Sequence, residues 1–298
     1  MIREDALQGS YADKLIDAAV DIRMNPEAVE RSYMARQLVQ CTLPHSDPGD
    51  VSVWTRTNGA LTLAIRPYVD LKTHKTLYPY GSIPRLLLFW LVTEATQKKT
   101  RRIRLGHSLD AFMREIGLNP RTGGGKRGDA ARLHEQMTRL FGALISFHDE
   151  RAHSVSWVNM PVTRAGTLWW DPARSQQDNL WESWIELGED FYAAITAAPV
   201  PVDMRALRAL KRSPLALDLY AWLTYTAYSA SRKNKPRVVP WEGLHGQMGA
   251  EYAQLRDFKI RANMALKKIQ LVYPGLKVES TATALVIHPS RTAIPSKT

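Results

Sequence analysis

The apolar positions of this chain change period along its length, and each change marks an element. Between residues 10 and 24, Leu15, Ile16, Ala19 and Ile22 recur at spacings of three and four, which predicts an amphipathic helix. Asn25-Pro26-Glu27 offers a cap and a first-turn proline, predicting a second helix that runs to about Leu43 and stops before Pro44. His45–Asp50 reads as loop. The period then falls to two. Val51–Asn58 and Ala60–Arg66 flank Asn58-Gly59, a strong hairpin signal. Tyr78-Pro79-Tyr80-Gly81 is a turn, with Ser82 the expected cap of a helix over 82–97. Further helices are predicted at 108–117 and 126–142, then strands at 144–149 and 153–160 about a tip at 149–152. Residues 165–200 read as a connector with a strand near 181–187 and a short helix at 188–197, until Pro199 and Pro201 break the chain. Helices at 203–211, 213–230, 240–248 and 251–270 follow, with strands at 275–280 and 283–288.

Much of this pattern occurs twice. Ser82-Ile83-Pro84-Arg85-Leu86-Leu87-Leu88-Phe89-Trp90-Leu91 matches Ser213-Pro214-Leu215-Ala216-Leu217-Asp218-Leu219-Tyr220-Ala221-Trp222, the prolines lying 130 residues apart. The basic stretch Lys98–Arg104 answers to Arg232–Val238, and Glu115-Ile116-Gly117-Leu118 to Gln247-Met248-Gly249-Ala250, 132 apart. The longer helices that follow align Phe141 with Leu266, only 125 apart, so the first copy holds seven extra residues before its helix. Helix, strand, helix, helix, strand, strand is the order of a winged helix, and an internal repeat governs architecture. The expected fold is α+β: two winged-helix domains in tandem behind an α-helical N-terminal segment. The expected boundaries are 1–60 for that segment and the start of the hairpin, 61–165 for the first domain, 166–202 for the connector, 203–290 for the second domain and 291–298 for a tail.

Charge then suggests a partner. The net charge of +11 over 298 residues is unevenly spread. Residues 61–160 carry 16 Lys+Arg against 8 Asp+Glu and residues 201–298 carry 16 against 6, whereas 1–60 and 161–200 are net −3 and −4. Both repeats are therefore basic, which favours a polyanion over mere solubility. Cys41 is the only cysteine, excluding internal disulfides and cysteine-rich zinc sites. No apolar run approaches a membrane span, and the polar N-terminus is unlike a signal peptide, so a soluble cytoplasmic protein is expected, with no membrane partner.

The two long amphipathic helices are the expected readers of double-stranded DNA, because the major groove admits a helix and Arg, Lys, Asn and Gln reach base edges there. The first carries Leu133, Met137, Leu140 and Phe141 on one face and Arg127, Asp129, Arg132 and Arg139 on the other. It is preceded by Arg121-Thr122-Gly123-Gly124-Gly125-Lys126-Arg127-Gly128. Glycine backbone and a helix N-terminus suit a phosphate, but Lys126 is followed by Arg127 rather than Ser or Thr, and the loop follows a helix rather than a strand. It therefore fails as a nucleotide-binding P-loop, and DNA phosphate is the expected ligand of Arg121, Gly123, Gly124, Lys126 and Arg127. The second helix buries Leu255, Phe258, Ala262, Ala265, Leu266 and Ile269 and presents Arg256, Lys259, Arg261, Asn263, Lys267 and Lys268, with Gln254 at its start. Bases are expected at Lys126, Arg127, Asp129 and Arg132 and at Gln254, Arg256, Lys259 and Arg261. Phosphates are expected at Lys267, Lys268, and the tip residues Arg151 and His153. Lys233 and Lys235 in the second basic stretch join the expected interface.

Catalytic patterns are missing. Asp171, Asp178, Glu182, Glu186, Glu189 and Asp190 cluster in the connector, but alternate with Trp181, Trp184, Ile185 and Leu187 as a salt-bridged surface would. The eight histidines include no pair flanking an apolar residue, and no nucleophile elbow occurs. Neither metal nor cofactor is expected, and the chain reads as a binding protein rather than an enzyme.

Several of these strings resemble a known family. Tyr80-Gly81-Ser82-Ile83-Pro84-Arg85, Ile103-Arg104-Leu105-Gly106 with Ser108-Leu109, Phe112-Met113, Gly117-Leu118, Thr122-Gly123-Gly124, Gln136-Met137-x-Arg139-Leu140-Phe141 and Leu43-Pro44-His45-Ser46-Asp47-Pro48 resemble the plasmid-encoded RepA replication initiators, over about residues 25 to 290. The resemblance implies a non-enzymatic initiator that binds repeated origin sequences (iterons), melts a nearby AT-rich segment and recruits the host initiator and replicative helicase. It also implies a homodimer in equilibrium with a monomer, for which Trp54, Trp169 and Trp170 in the net-negative segments are expected apolar anchors. A winged-helix transcriptional repressor and a metal-dependent DNA-processing enzyme are the competing readings.

Overall fold

The computed structural model describes residues 11–120, 128–151, 154–170, 182–248 and 252–294. Helix α1 (Tyr11–Met24) forms where the apolar spacing predicts it and buries Leu15, Ala19 and Ile22. The second predicted helix does not form as one element. Its middle is a strand, β1 (Arg31–Ala35), and only α2 (Arg36–Gln40) is helical. Burial alternates across Arg31, Ser32, Tyr33 and Met34, a period-two signal inside a segment that also fits a helix.

The hairpin β2 (Trp54–Asn58) and β3 (Leu61–Arg66) turns at Gly59, whose φ of 60° costs glycine nothing. A small ribbon, β4 (Tyr68–Val69) with β5 (Thr76–Leu77), leads to the first repeat. That repeat comprises α3 (Ser82–Lys98), β6 (Arg102–Gly106), α4 (Leu109–Glu115), α5 (Asp129–Phe141), β7 (Leu144–Arg151) and β8 (Ser154–Pro161). The connector holds β9 (Thr163–Thr167), β10 (Ser183–Leu187), α6 (Glu189–Ala197) and β11 (Pro199–Asp203). After α7 (Met204–Leu210) comes the second repeat: α8 (Pro214–Lys233), β12 (Arg237–Pro240), α9 (Trp241–Met248), α10 (Leu255–Val272), β13 (Val278–Ser280) and β14 (Ala284–Ile287).

Both repeats keep the predicted order of elements. Their first helices even end alike, at a residue in the left-handed region: Lys99 with φ 53° and Asn234 with φ 44°. Strand pairing differs. In the second repeat β12, β14 and β13 form one antiparallel sheet. In the first, β6 pairs instead with β10 of the connector, and β7 and β8 extend the β2–β3 hairpin into a four-stranded sheet. The connector is thus part of the fold and not a spacer.

Two local expectations are corrected. Ser82 lies inside α3; the cap position is Gly81, at φ 80°, with no side-chain capping bond. Pro199 and Pro201 do not end structure but sit in β11, with Pro201 opposite Tyr33 and Pro199 opposite Ala35 of β1. Each strand of a two-stranded ribbon has one free edge, and a proline nitrogen that faces it costs no ladder bond.

Helix α3 is apolar nearly all round and buries Ile83 through Val92 without a break, as a helix at the centre of a core must. One continuous apolar cluster runs from Leu15 of α1 to Ile287 of β14 and includes both repeats. Along this shared core Arg208 donates from Nη2 to Glu115 O at 3.2 Å and Lys211 Nζ to Gly117 O, placing two cations at the C-terminal end of α4, where the helix dipole is negative.

Candidate nucleic-acid interface

Helix α10 is built as its sequence suggests. Phe258, Ala262, Ala265, Leu266, Ile269 and Val272 are buried on one face. Opposite them lie Arg256, Ile260, Asn263, Met264 and Lys267 at spacings of three and four, lining a shallow groove along the helix. Gln254 occupies the N-cap and is exposed. Arg261 is exposed on one flank.

Other predicted contacts carry structural duties. Lys259 Nζ donates to Ala282 O in the β13–β14 turn at 2.6 Å and lies 5.8 Å from the Trp241 ring centroid, tying helix to turn. Asn263 Nδ2 donates back to Lys259 O at 2.8 Å, which leaves its amide oxygen outward as an acceptor. Lys268 rests its ammonium 5.0 Å over the ring of Tyr11, against α1. Lys233 and Lys235 are exposed at the end of α8 and in the turn after it.

Sequence reading missed Ile260 and Met264. Each is 49% exposed in the middle of the cationic face. The signal was present, since both fall outside the apolar stripe at i and i+4; attention to polar residues passed over it.

In the first repeat, Arg121, Gly123, Gly124, Lys126 and Arg127 lie outside the described residues, as do His153 and the side chain of Arg151. Arg132 is exposed on α5 and paired with Asp129 at 3.4 Å. Arg139 must be withdrawn from the expected interface. It is 6% exposed; Nη1 reaches Tyr78 O at 3.0 Å and Asp47 at 3.2 Å, and Nη2 reaches Glu135 at 2.7 Å. Its neighbour Gln136 accepts the Tyr80 N–H at 3.0 Å. The pair fastens α5 to the loop before α3.

A second buried arginine does more. Arg85 on α3 donates from Nε and Nη2 to the two carboxylate oxygens of Asp218 on α8, at 2.8 Å each. Its remaining N–H groups bond Leu43 O at 2.6 Å, Pro44 O at 3.0 Å and Gly81 O at 2.7 Å, so all five donors are used. His45 Nε2 completes the set, 2.9 Å from Asp218. Burial alone would raise the Asp218 carboxyl, but the Arg85 charge and the His45 hydrogen bond outweigh it and hold it at about 2. Burial keeps His45 below the usual imidazole range, against the opposing pull of Asp218. The family-like strings around Leu43, Gly81 and Arg85 therefore close on one ion pair that joins the repeats.

The connector carboxylates meet arginines. Glu182 lies 3.6 Å from Arg104, Glu186 3.1 Å from Arg164 and 3.6 Å from Arg101, and Glu189 3.1 Å from Arg101. Asp171 and Asp178 lie outside the described residues. Among the described residues no group of three or more His, Cys, Asp or Glu could hold a metal, and no helix is long and apolar enough to cross a membrane.

Two repeats of the same helix and strand order, one presenting a cationic helix, describe the class. The model of the plasmid encoded RepA protein family matches residues 78–243, more than half of the chain, and the chain belongs to that plasmid replication protein family. Among solved structures, the crystal structure of selenomethionine derivatives of domain 2 and domain 3 of RctB is similar, with a TM-score of 0.54 at 11% identity, over 85% of this chain and 95% of that one. At that identity the likeness is one of fold. No curated protein matches the sequence.

Proposed function

We propose that this protein initiates plasmid replication by binding repeated sequences at its origin as a tandem winged-helix protein, with α10 in the major groove. The observation that carries the reading is the outward face of α10. It sets Arg256, Asn263 and Lys267 around Ile260 and Met264, braced behind by α8 and α1 and tied by Lys259 to the β13–β14 turn. Arginine suits guanine and an amide suits adenine, while an apolar side chain suits the thymine methyl. Origin melting, recruitment of the host initiator and helicase, and a monomer–dimer equilibrium belong to this proposal. Of the expected anchors for self-association, Trp170 is buried against Phe112, with ring centroids 5.2 Å apart, and Trp169 is 49% exposed, so Trp169 is the better one. No step in the proposal needs catalysis, metal or nucleotide.

Binding to an origin duplex at rising salt tests the reading. With about six to ten phosphates neutralised, affinity falls by roughly three to five orders of magnitude between about 50 and 200 mM salt. Salt-independent binding, or a requirement for ATP, refutes it. Maintenance of a plasmid whose only origin depends on this chain separates an initiator from a repressor.

A further inference from the structure

A cleft of about 810 Å³ lies between the β1–β11 ribbon, the C-terminal half of α8 and residues 292–294, and shares no lining residue with the groove on α10. Its cations are Arg31, Arg36, Arg232 and Lys233, and among the described residues no carboxylate lines it. Its aromatic walls are Tyr33 on β1 and Tyr225 and Tyr228 on α8. Tyr228 is 49% exposed, with the Arg232 guanidinium 6.0 Å from its ring centroid. The ribbon contributes the apolar rings of Pro199 and Pro201. A second cleft shares Arg36 and Tyr225 with the first and continues to Trp157 on β8, which is 61% exposed; it also holds one carboxylate, Asp149.

We propose that this cleft binds single-stranded nucleic acid. Three exposed cations, Arg36, Arg232 and Lys233, suit phosphate. Tyrosine faces accept bases only when the bases are unstacked, so a duplex is the wrong ligand and a single strand the right one. A peptide would be offered charge but little backbone pairing along the Pro199 and Pro201 side, which lacks two N–H groups. The continuation toward Trp157 favours a polymer over a free nucleotide. The site is separate from the proposed duplex-binding face, and an initiator that holds both forms of DNA could retain one strand of an opened origin.

The test uses the full chain and fluorescein-labelled oligo-dT of twenty nucleotides. Binding is expected, weakening with salt. Tyr228→Ala and Tyr225→Ala should each weaken it about tenfold, the scale of one lost base stack, while Tyr228→Phe keeps it and an unchanged melting temperature shows that the fold survives. Arg232→Glu should weaken it further. Arg256→Ala on α10 should leave oligo-dT binding intact while impairing origin-duplex binding, so failure of the duplex proposal would show independently in the second measurement. The cleft proposal is overturned if origin duplex or poly-glutamate displaces oligo-dT competitively, if ATP competes at equal concentration of nucleotide, if the tyrosine substitutions change nothing, or if they change the sedimentation of the free protein instead.

Discussion

Replacing Asp218 with asparagine probes the joint between the repeats. The substitution keeps shape and one acceptor but leaves the Arg85 guanidinium, 2% exposed, without a counter-charge. Removing one partner of a buried ion pair costs about 3–5 kcal/mol. The pH dependence provides an independent measure. The carboxyl titrates at about 2 when folded against an ordinary value near 4, so its folded form is favoured by roughly 2 kcal/mol at neutral pH. The sign follows from a lowered folded pKa: the stabilisation is complete above about pH 4 and disappears as pH falls through about 2. His45, also lowered, acts in a separate window, because an unfolded imidazole gains a proton below about pH 6.5 while the buried one resists it, so stability declines as pH falls from there. Urea unfolding of the wild type and Asp218→Asn between pH 2.5 and 8 measures both. The expected result is a loss of several kcal/mol at pH 7 that shrinks toward pH 2.5, and a transition that splits in the variant because the pair spans α3 and α8. A loss under about 1 kcal/mol at pH 7, or a constant difference across the acid range, would refute the reasoning. Arg85→Met with Asp218→Leu removes both charges but also orphans the Leu43, Pro44 and Gly81 carbonyls, so it should recover only part of the stability.

Three further outcomes are expected. Replacing thymine by uracil at iteron positions contacted by α10 removes only the methyl group and should weaken binding of the wild type several-fold, but not of Ile260→Ala with Met264→Ala; equal sensitivity in both proteins would exclude methyl contact. Arg139→Ala should lower stability by about 2 kcal/mol, through the orphaned Tyr78 carbonyl and the lost packing of a buried side chain, and leave base discrimination in a substitution scan unchanged. Cys41 is fully buried and its thiol is pushed up to about 11, chiefly by burial, so a thiol reagent at pH 8 should modify it in urea and scarcely at all in the folded protein.

The order of elements in both repeats was legible because long apolar helices and alternating strands are local signals. Strand partners were not. The pairing of β6 with β10 or β1 with β11 joins residues far apart in sequence, and no local pattern distinguishes one distant edge from another. Arg31–Ala35 fits helix and strand periods equally over so short a run; only its partner decides. The face of α10 was legible in part: Arg256, Asn263 and Lys267 are where spacing placed them, while Lys259 is turned to the Ala282 carbonyl, a neighbour that sequence does not reveal.

The misreading of Arg139 has a general cause. A charged residue on the polar side of a helix looks solvated in sequence, and so did Arg85 amid its leucines look like an intrusion. Both are buried because each finds carbonyl oxygens in proline-interrupted loops: Arg85 at Leu43, Pro44 and Gly81, and Arg139 at Tyr78. Such loops cannot satisfy their carbonyls by regular structure, and a guanidinium with five donors can gather several at once. That accounts for why the strings that carry the family resemblance, Leu43-Pro44-His45 and Tyr78 through Arg85, surround these arginines. They specify how the N-terminal segment and the two repeats lock together, and the face of α10 on which base choice would depend lies outside them. Two chains could therefore share those strings and still differ on the outward face of α10.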